Sequence, residues 1–234
     1  ENDRSGDAGA HFVDLPNGLI SALGNNMTIM IWFTWTDPNE ALLQKVFDFG
    51  INQAGAEGVS SGGVGGQYLM LTPNPAAVQK PRLFIESHYD PNILFDVITE
   101  GALVSAGEEI CATITWDNQS EKMQLYANAV LRDEQPLNGK LSDLDDRNNW
   151  LGRSQWPNDK LFVGKINELR IYNIPLSDYW IETYYLAGPD GEALSGDPRV
   201  YPSELDSNGD CIVDMVDLSA FAEDWLWCGF LSCF

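Results

Sequence analysis

The sequence predicts an all-β fold, two antiparallel sheets packed as a sandwich, followed by a small C-terminal loop and helix. Short runs rich in β-branched and aromatic residues recur from about His11 to Ala187, separated by clusters of Gly, Pro, Asn and Asp, as strands joined by turns would be. With 234 residues, 44% apolar content and 8 Trp, the chain has material for one sandwich-sized core and a small appendage. The strand pattern breaks at Gly188, where GPDGEALSGDPRVYP reads as a linker. The expected organisation is therefore a sandwich over 1–187, a linker over 188–202 and a small element over 203–234.

Within the sandwich, His11 starts a strand. The run MTIMIWFTW (27–35) is apolar on both of its alternating faces, Ile29, Ile31, Phe33 and Trp35 against Met30 and Trp32 with Thr28 and Thr34. Such a strand belongs in the middle of a sheet with something packed on each side. KVFDFG (45–50), QYLMLT (67–72) and RLFIES (82–87) follow. AGAEGVSSGGVGG (54–66) carries too much backbone entropy for regular structure and reads as a long loop. ICATITW (110–116) holds Cys111 as a core thiol, and DNQSEK (117–122) is a hairpin turn in which Asn and Asp supply local hydrogen bonds. KMQLYANAVL (122–131) and KINELRIYN (165–173) complete the strand runs.

The C-terminal element carries the most specific motif. In DSNGDCIVDMVD, the side chains of Asp206, Asn208, Asp210, Asp214 and Asp217 fall at loop positions 1, 3, 5, 9 and 12, with the Ile212 carbonyl at position 7. This spacing lets one turn of chain wrap a calcium ion. Val213, at position 8, is the hydrophobic anchor. Leu218, Phe221, Ala222, Trp225 and Leu226 then make one apolar helical stripe.

This stretch resembles a single dockerin repeat, and its Cys pattern is similar to one met in exported proteins of planctomycete-type bacteria. Cys211 stands where the family usually has Gly, and one repeat replaces the usual two. The resemblance implies calcium as cofactor, and Cys211, Cys228 and Cys233 are disulfide candidates whose pairing stays open. The larger part resembles the laminin-G-like, concanavalin-type jelly rolls of exported bacterial proteins. HFVDLPNGLISAL, TIMIWFTW, VFDFG, CATITW with QLYANAVL, NNWLGRS and GKINELRIYNIPLS carry that likeness. The family hairpin commonly has Gly where Ala129 follows Asn128, and its closing motif has Asp where this chain has Asn167 before Glu168. In many members that acidic pair holds a structural calcium.

Thirteen basic against thirty-five acidic residues give a formal charge of −22, which disfavours nucleic acid and anionic membrane surfaces as partners. No apolar stretch approaches the ~20 residues of a membrane span, and the chain opens on a polar, Gly-rich run, as after removal of a signal peptide. A secreted, extracellular or cell-surface location is the expectation. The two-carboxylate strand pattern of glycosidases on this fold is missing. Asp143, Asp145 and Asp146 read as a solvated turn, GVSSG (58–62) as a chance match to a nucleophile elbow, and His11 and His88 lack metal-ligand spacing. The chain is thus expected to be non-catalytic.

Loop aromatics offer a binding face instead, because rings stack on sugars while Asn and Asp fix hydroxyls. Trp150 and Trp156, with Asn148, Asn149, Arg153 and Asn158, form the densest cluster, and Tyr89 is a further candidate. Trp150 sits in a stretch that reads as structural; Trp156 is the better placed for exposure. Two sequons, at Asn26 and Asn118, are glycosylation candidates. The expected function is recognition of carbohydrate or glycoprotein, with calcium as stabiliser. The alternative is a self-assembling extracellular structural subunit, motivated by the apolar end WLWCGFLSCF.

Overall fold

The computed structural model describes residues 12–37, 43–53, 55, 57, 65–74, 82–88, 97–137, 139–189 and 213–214, with backbone alone at 65, 82, 88, 97–103 and 213–214. Numbered in chain order, the first sheet contains β1 (Val13–Leu15), β10 (Asn148–Leu151), β3 (Phe47–Asn52), β4 (Gly65–Thr72), β5 (Arg82–His88) and β6 (Val97–Leu103), neighbours in that order. The second contains β12 (Val213–Asp214), β11 (Gly164–Tyr172), β2 (Asn26–Trp35), β7 (Glu109–Asp117), β8 (Lys122–Ala127) and β9 (Val130–Pro136). Every pairing is antiparallel. The result is the jelly-roll sandwich that the sequence predicts.

The two-faced β2 explains the layering. It lies between β11 and β7. Ile29, Ile31, Phe33 and Trp35 turn toward the first sheet and pack among Phe47, Phe49, Leu69, Ile85, Ile114 and Trp116 in the inter-sheet core. Burying each such side chain contributes about 1.5–3 kcal/mol before chain entropy is counted. Met30 and Trp32 turn the other way, into a second cluster with Cys111, Tyr126, Tyr172, Ile181 and Tyr184.

That second cluster is roofed by a helix the sequence reading does not assign, α1 (Asp178–Ala187). Ser177 precedes it in extended conformation, Asp178 sits in its first turn, and the Gly188 N–H closes onto the Tyr184 and Tyr185 carbonyls. Thr28 fastens the connection to β2: its hydroxyl donates to the Ile174 carbonyl (2.8 Å) and accepts from the Leu176 N–H (2.8 Å). Among the described residues no helix is long and apolar enough to cross a membrane.

The turn at 117–122 forms as expected, Asp117 accepting from the Gln119 N–H (2.8 Å) and the Ser120 hydroxyl (2.6 Å). The run 122–131 is not one strand. It bends at Asn128 and Ala129, both with positive φ (50° and 62°), into the tight hairpin between β8 and β9. Asp146 also departs from the solvated-turn expectation. It is buried, accepting from the Ile20 N–H (2.7 Å) and the Ser21 hydroxyl (2.6 Å), and so anchors the turn before β2. Asp145, by contrast, forms a surface pair with Arg147.

Candidate functional site

The sandwich has two outer faces. α1 covers that of the second sheet; that of the first carries a polar and aromatic row. Strand pairing aligns Asp14, Trp150, Asp48, Met70 and Glu86 across β1, β10, β3, β4 and β5. Because side chains alternate along each strand, Tyr68 and Phe84 share this face with them. Beneath Tyr68 the strands approach so closely that a Cβ on Gly50 would sit 2.0 Å from the Gln67 carbonyl oxygen, which is why β3 carries glycine there.

Over this row lies the loop between β10 and β11, held by buried polar groups. The Gln155 N–H donates to Asp48 Oδ2 (2.8 Å), and the Gln155 side chain exchanges hydrogen bonds with Asn148 (3.0 and 3.1 Å). Lys45 Nζ donates to Asp159 Oδ2 (3.1 Å) and to the Leu43 carbonyl (2.9 Å). Ser154 donates to the same Asp159 oxygen (2.7 Å) and accepts from the Trp156 N–H (3.1 Å). These bonds fix Trp156 half-exposed, its ring edge-on to Tyr68 with centroids 4.8 Å apart and Lys45 Nζ 5.2 Å from its centroid. Beside it the Tyr68 hydroxyl donates to Glu86 Oε1 (2.6 Å).

Burial pushes the Asp48 carboxyl up to about 7, against the opposing pull of Lys45 and the Gln155 N–H. Its Oδ1 meets no donor among the described residues. A carboxyl titrating near neutrality suggests acid–base chemistry, but Asp48 is sealed from solvent. The arrangement suits a ring that stacks, flanked by fixed hydrogen-bonding groups.

Of the two tryptophans singled out from the sequence, only Trp156 stays accessible. Trp150 requires correction as a ligand-stacking ring: it is 0% exposed, covered by the Arg153 guanidinium (4.0 Å to its centroid) and met by Phe12 edge-on. Asn148 and Asn149 are buried structural groups, whereas Asn158 is exposed. Lys45, Asp48, Tyr68, Glu86 and Asp159 belong to the site but escape the sequence reading. One signal was present: in KVFDFG, Asp48 alternates with Phe47 and Phe49, an acid on the back of a buried strand.

Tyr89 and His11 lie outside the described residues, as do the calcium-loop side chains of Asp206, Asn208, Asp210, Asp214 and Asp217, the Ile212 carbonyl, and Cys211, Cys228 and Cys233. Glu168 of the closing motif is committed to Arg170, and the Asn167 amide donates to Glu109 (3.0 Å). A guanidinium thus takes the carboxylate that the resemblance assigns to a metal. Among the described residues no group of three His, Cys, Asp or Glu side chains converges as a metal site. Of the two sequons, Asn118 is exposed in its turn, while Asn26 is half-buried and accepts from the Asn118 N–H (3.1 Å).

Sheet order and covering helix together define a concanavalin-type module. Residues 7–182 match the family described as the concanavalin A-like lectin/glucanases superfamily, in its laminin-G form, and the chain belongs to that family. No curated protein sequence matches it. Among solved structures, it is similar to the CBM40 module of the Ruminococcus gnavus intramolecular trans-sialidase bound to α2,3-sialyllactose. There the TM-score is 0.57 and the identity 16%, over 75% of this chain and 96% of that one. It is also similar to domain 4 of AbnA, an extracellular arabinanase from Geobacillus stearothermophilus in complex with arabinotriose (TM-score 0.51, 18% identity, 74% and 71% covered). A third is the leech intramolecular trans-sialidase (0.55, 17%, 81% of this chain and 28% of that one). At these identities the likeness is one of fold.

Proposed function

We propose that this chain is a non-catalytic carbohydrate-binding module of an exported or cell-surface protein, with its sugar site on the outer face of the first sheet around Trp156. The observation that carries the reading is the bracing of a half-exposed indole by a buried polar network beside the Tyr68–Glu86 pair, on the sandwich face that α1 does not cover. Similarity in fold to modules solved with sialyllactose and arabinotriose supports it. The absence of catalysis is supported by the carboxylates themselves. Asp48 and Glu86 sit two strands apart with Met70 between them, one sealed and the other engaged by Tyr68. A glycan array followed by affinity electrophoresis tests the reading. Trp156→Ala is expected to weaken the best ligand by ~1–3 kcal/mol, about fivefold or more, while the fold is kept. An array without ligands, or a variant binding like the parent, sinks it.

Calcium belongs to the same proposal through the 206–217 loop. Chelation is expected to lower the thermal midpoint of the parent and to leave Asp206→Ala/Asp210→Ala unchanged. Equal midpoints with and without calcium in the parent would remove the ion from the account.

A second reading, assembly with copies of itself, is favoured by Tyr179 and Leu186. They lie two turns apart on one side of α1 and are 68% and 73% exposed. A single sedimentation species across protein and calcium concentrations would dismiss it.

A further inference from the structure

We propose that the outer edge of β11 is a strand-accepting surface whose occupant is the chain's own segment at Val213 and Asp214. The C-terminal element is then an edge cover of the sandwich, not a module swinging on an open linker. Neither the sugar site nor the calcium reading enters this inference, because the pairing is made by main chain.

The need for a cover is written in β11. An open edge strand offers its N–H and C=O groups to any other chain, and proteins blunt such edges with charge, proline or a bulge. At the far edge of the same sheet, β9 is blunted in this way. Its run VLRDEQP carries Arg132, Asp133 and Glu134, ends on Pro136, and slips in register against β8 at Leu125 and Tyr126. β11 is blunted over its first half alone, where Gly164, Lys165 and Asn167 are exposed and the register against β2 shifts between Ile166 and Glu168. From Leu169 to Tyr172 the pairing is regular and every residue is buried. The one charge in that stretch, Arg170, is committed to Glu168. β12 lies on this second half, antiparallel, with Val213 opposite Ile171 and Asp214 opposite Arg170.

A separate observation concerns how the chain reaches that edge. It leaves α1 at Gly188, whose carbonyl accepts from Arg170 Nη2 (3.1 Å). It returns at Asp214, which is paired with the backbone of the same Arg170. One residue of β11 therefore holds both ends of the intervening run, by its side chain at the start and by its main chain at the finish. A run pinned at both ends is a closed loop, without the reach of an open linker of equal length. Strand addition draws its affinity from main-chain hydrogen bonds, and a segment tied so close meets the edge at a far higher effective concentration than a second copy does.

Backbone nitrogen relaxation and residue-by-residue amide exchange of the full chain test the inference. Val213 and Asp214 are expected to tumble with the sandwich, sharing its rotational correlation time. Val213→Pro/Asp214→Pro removes both β12 donors whichever pair carries the ladder bonds. In that variant the amide of Arg170 or Ile171 that faces β12 should exchange at least about tenfold faster, while amides bonded to β2 keep their rates. Val213→Ala keeps the backbone donors and should exchange like the parent. Faster, independent tumbling of Val213 and Asp214 in the parent overturns the inference, as do equal rates at Arg170 and Ile171 in the parent and the proline variant.

Discussion

The two outer faces of the sandwich use the same device to different ends. Each tucks a cation against a tryptophan and pairs it with a carboxylate. Under α1, Arg170 lies 4.8 Å from the Trp32 centroid, bonds to Glu168 and donates to the Gly188 carbonyl (3.1 Å). On the other face, Lys45 lies 5.2 Å from the Trp156 centroid and bonds to Asp159. Trp32 is 2% exposed beneath a helix, whereas Trp156 stays half-exposed on a loop. The difference teaches that a buried ion pair has no fixed meaning. Where a helix closes over it, it joins two layers; where a loop carries it, it aims a side chain at solvent.

The largest effect expected is from removing each cation in turn. Arg170→Ala should cost about 3–5 kcal/mol in urea unfolding, because it removes the buried guanidinium that neutralises Glu168, and should leave glycan affinity untouched. Lys45→Ala should cost a similar amount, and it should also shift the indole N–H resonance of Trp156 and weaken binding. If that resonance stays in place in Lys45→Ala, the contrast between the two pairs fails.

Asp48 sharpens the contrast on the Trp156 side through pH. Its folded-state value of about 7 stands above the ordinary 3.8, so between those limits the folded protein holds a proton that the unfolded chain has released. Stability therefore falls as pH rises from about 4 and levels off above about 7. For a fully buried group the loss is on the order of 4 kcal/mol. Asp48→Asn should abolish this slope and be more stable than the parent at pH 8. Parallel pH profiles for the two proteins would show that Lys45 already holds Asp48 ionised.

The smallest effect concerns the helix-covered side, where Ala129 at φ 62° lies against the Trp32 cluster. Ala129→Gly relieves a left-handed conformation that L-residues resist and should stabilise by up to about 1 kcal/mol, read as a higher thermal midpoint. A lower midpoint would mean that the packed methyl outweighs the strain.

How far the sequence could be read follows from the range of each signal. β2 is legible because its two apolar faces are written in consecutive residues, and the 117–122 turn because Asp117 and Ser120 act locally. α1 hides because DYWIETYYLA is rich in the aromatic and β-branched residues that favour strands; its helix is decided by packing on Trp32 and Tyr172. Trp156 is legible as a loop aromatic, but its support is not. Lys45 and Asp159 are 114 positions apart, and Gln155 is 107 from Asp48. Trp150 misleads because β10 has only four residues, all buried, and so shows no alternation.

Cys111 lies under the helix, 1% exposed and in no disulfide, its thiol pushed up to about 12 by burial. A sulfur so protonated and so shielded takes no part in thiol exchange once the sandwich has formed. Of the four cysteines in the sequence, this leaves Cys211, Cys228 and Cys233, an odd number. At most one bond can form among these three, and the remaining sulfur is left to couple with glutathione, with another segment or with a second molecule. In the folded chain the parity of the reactive thiols is thus set inside the sandwich, by the helix that keeps Cys111 out of the count.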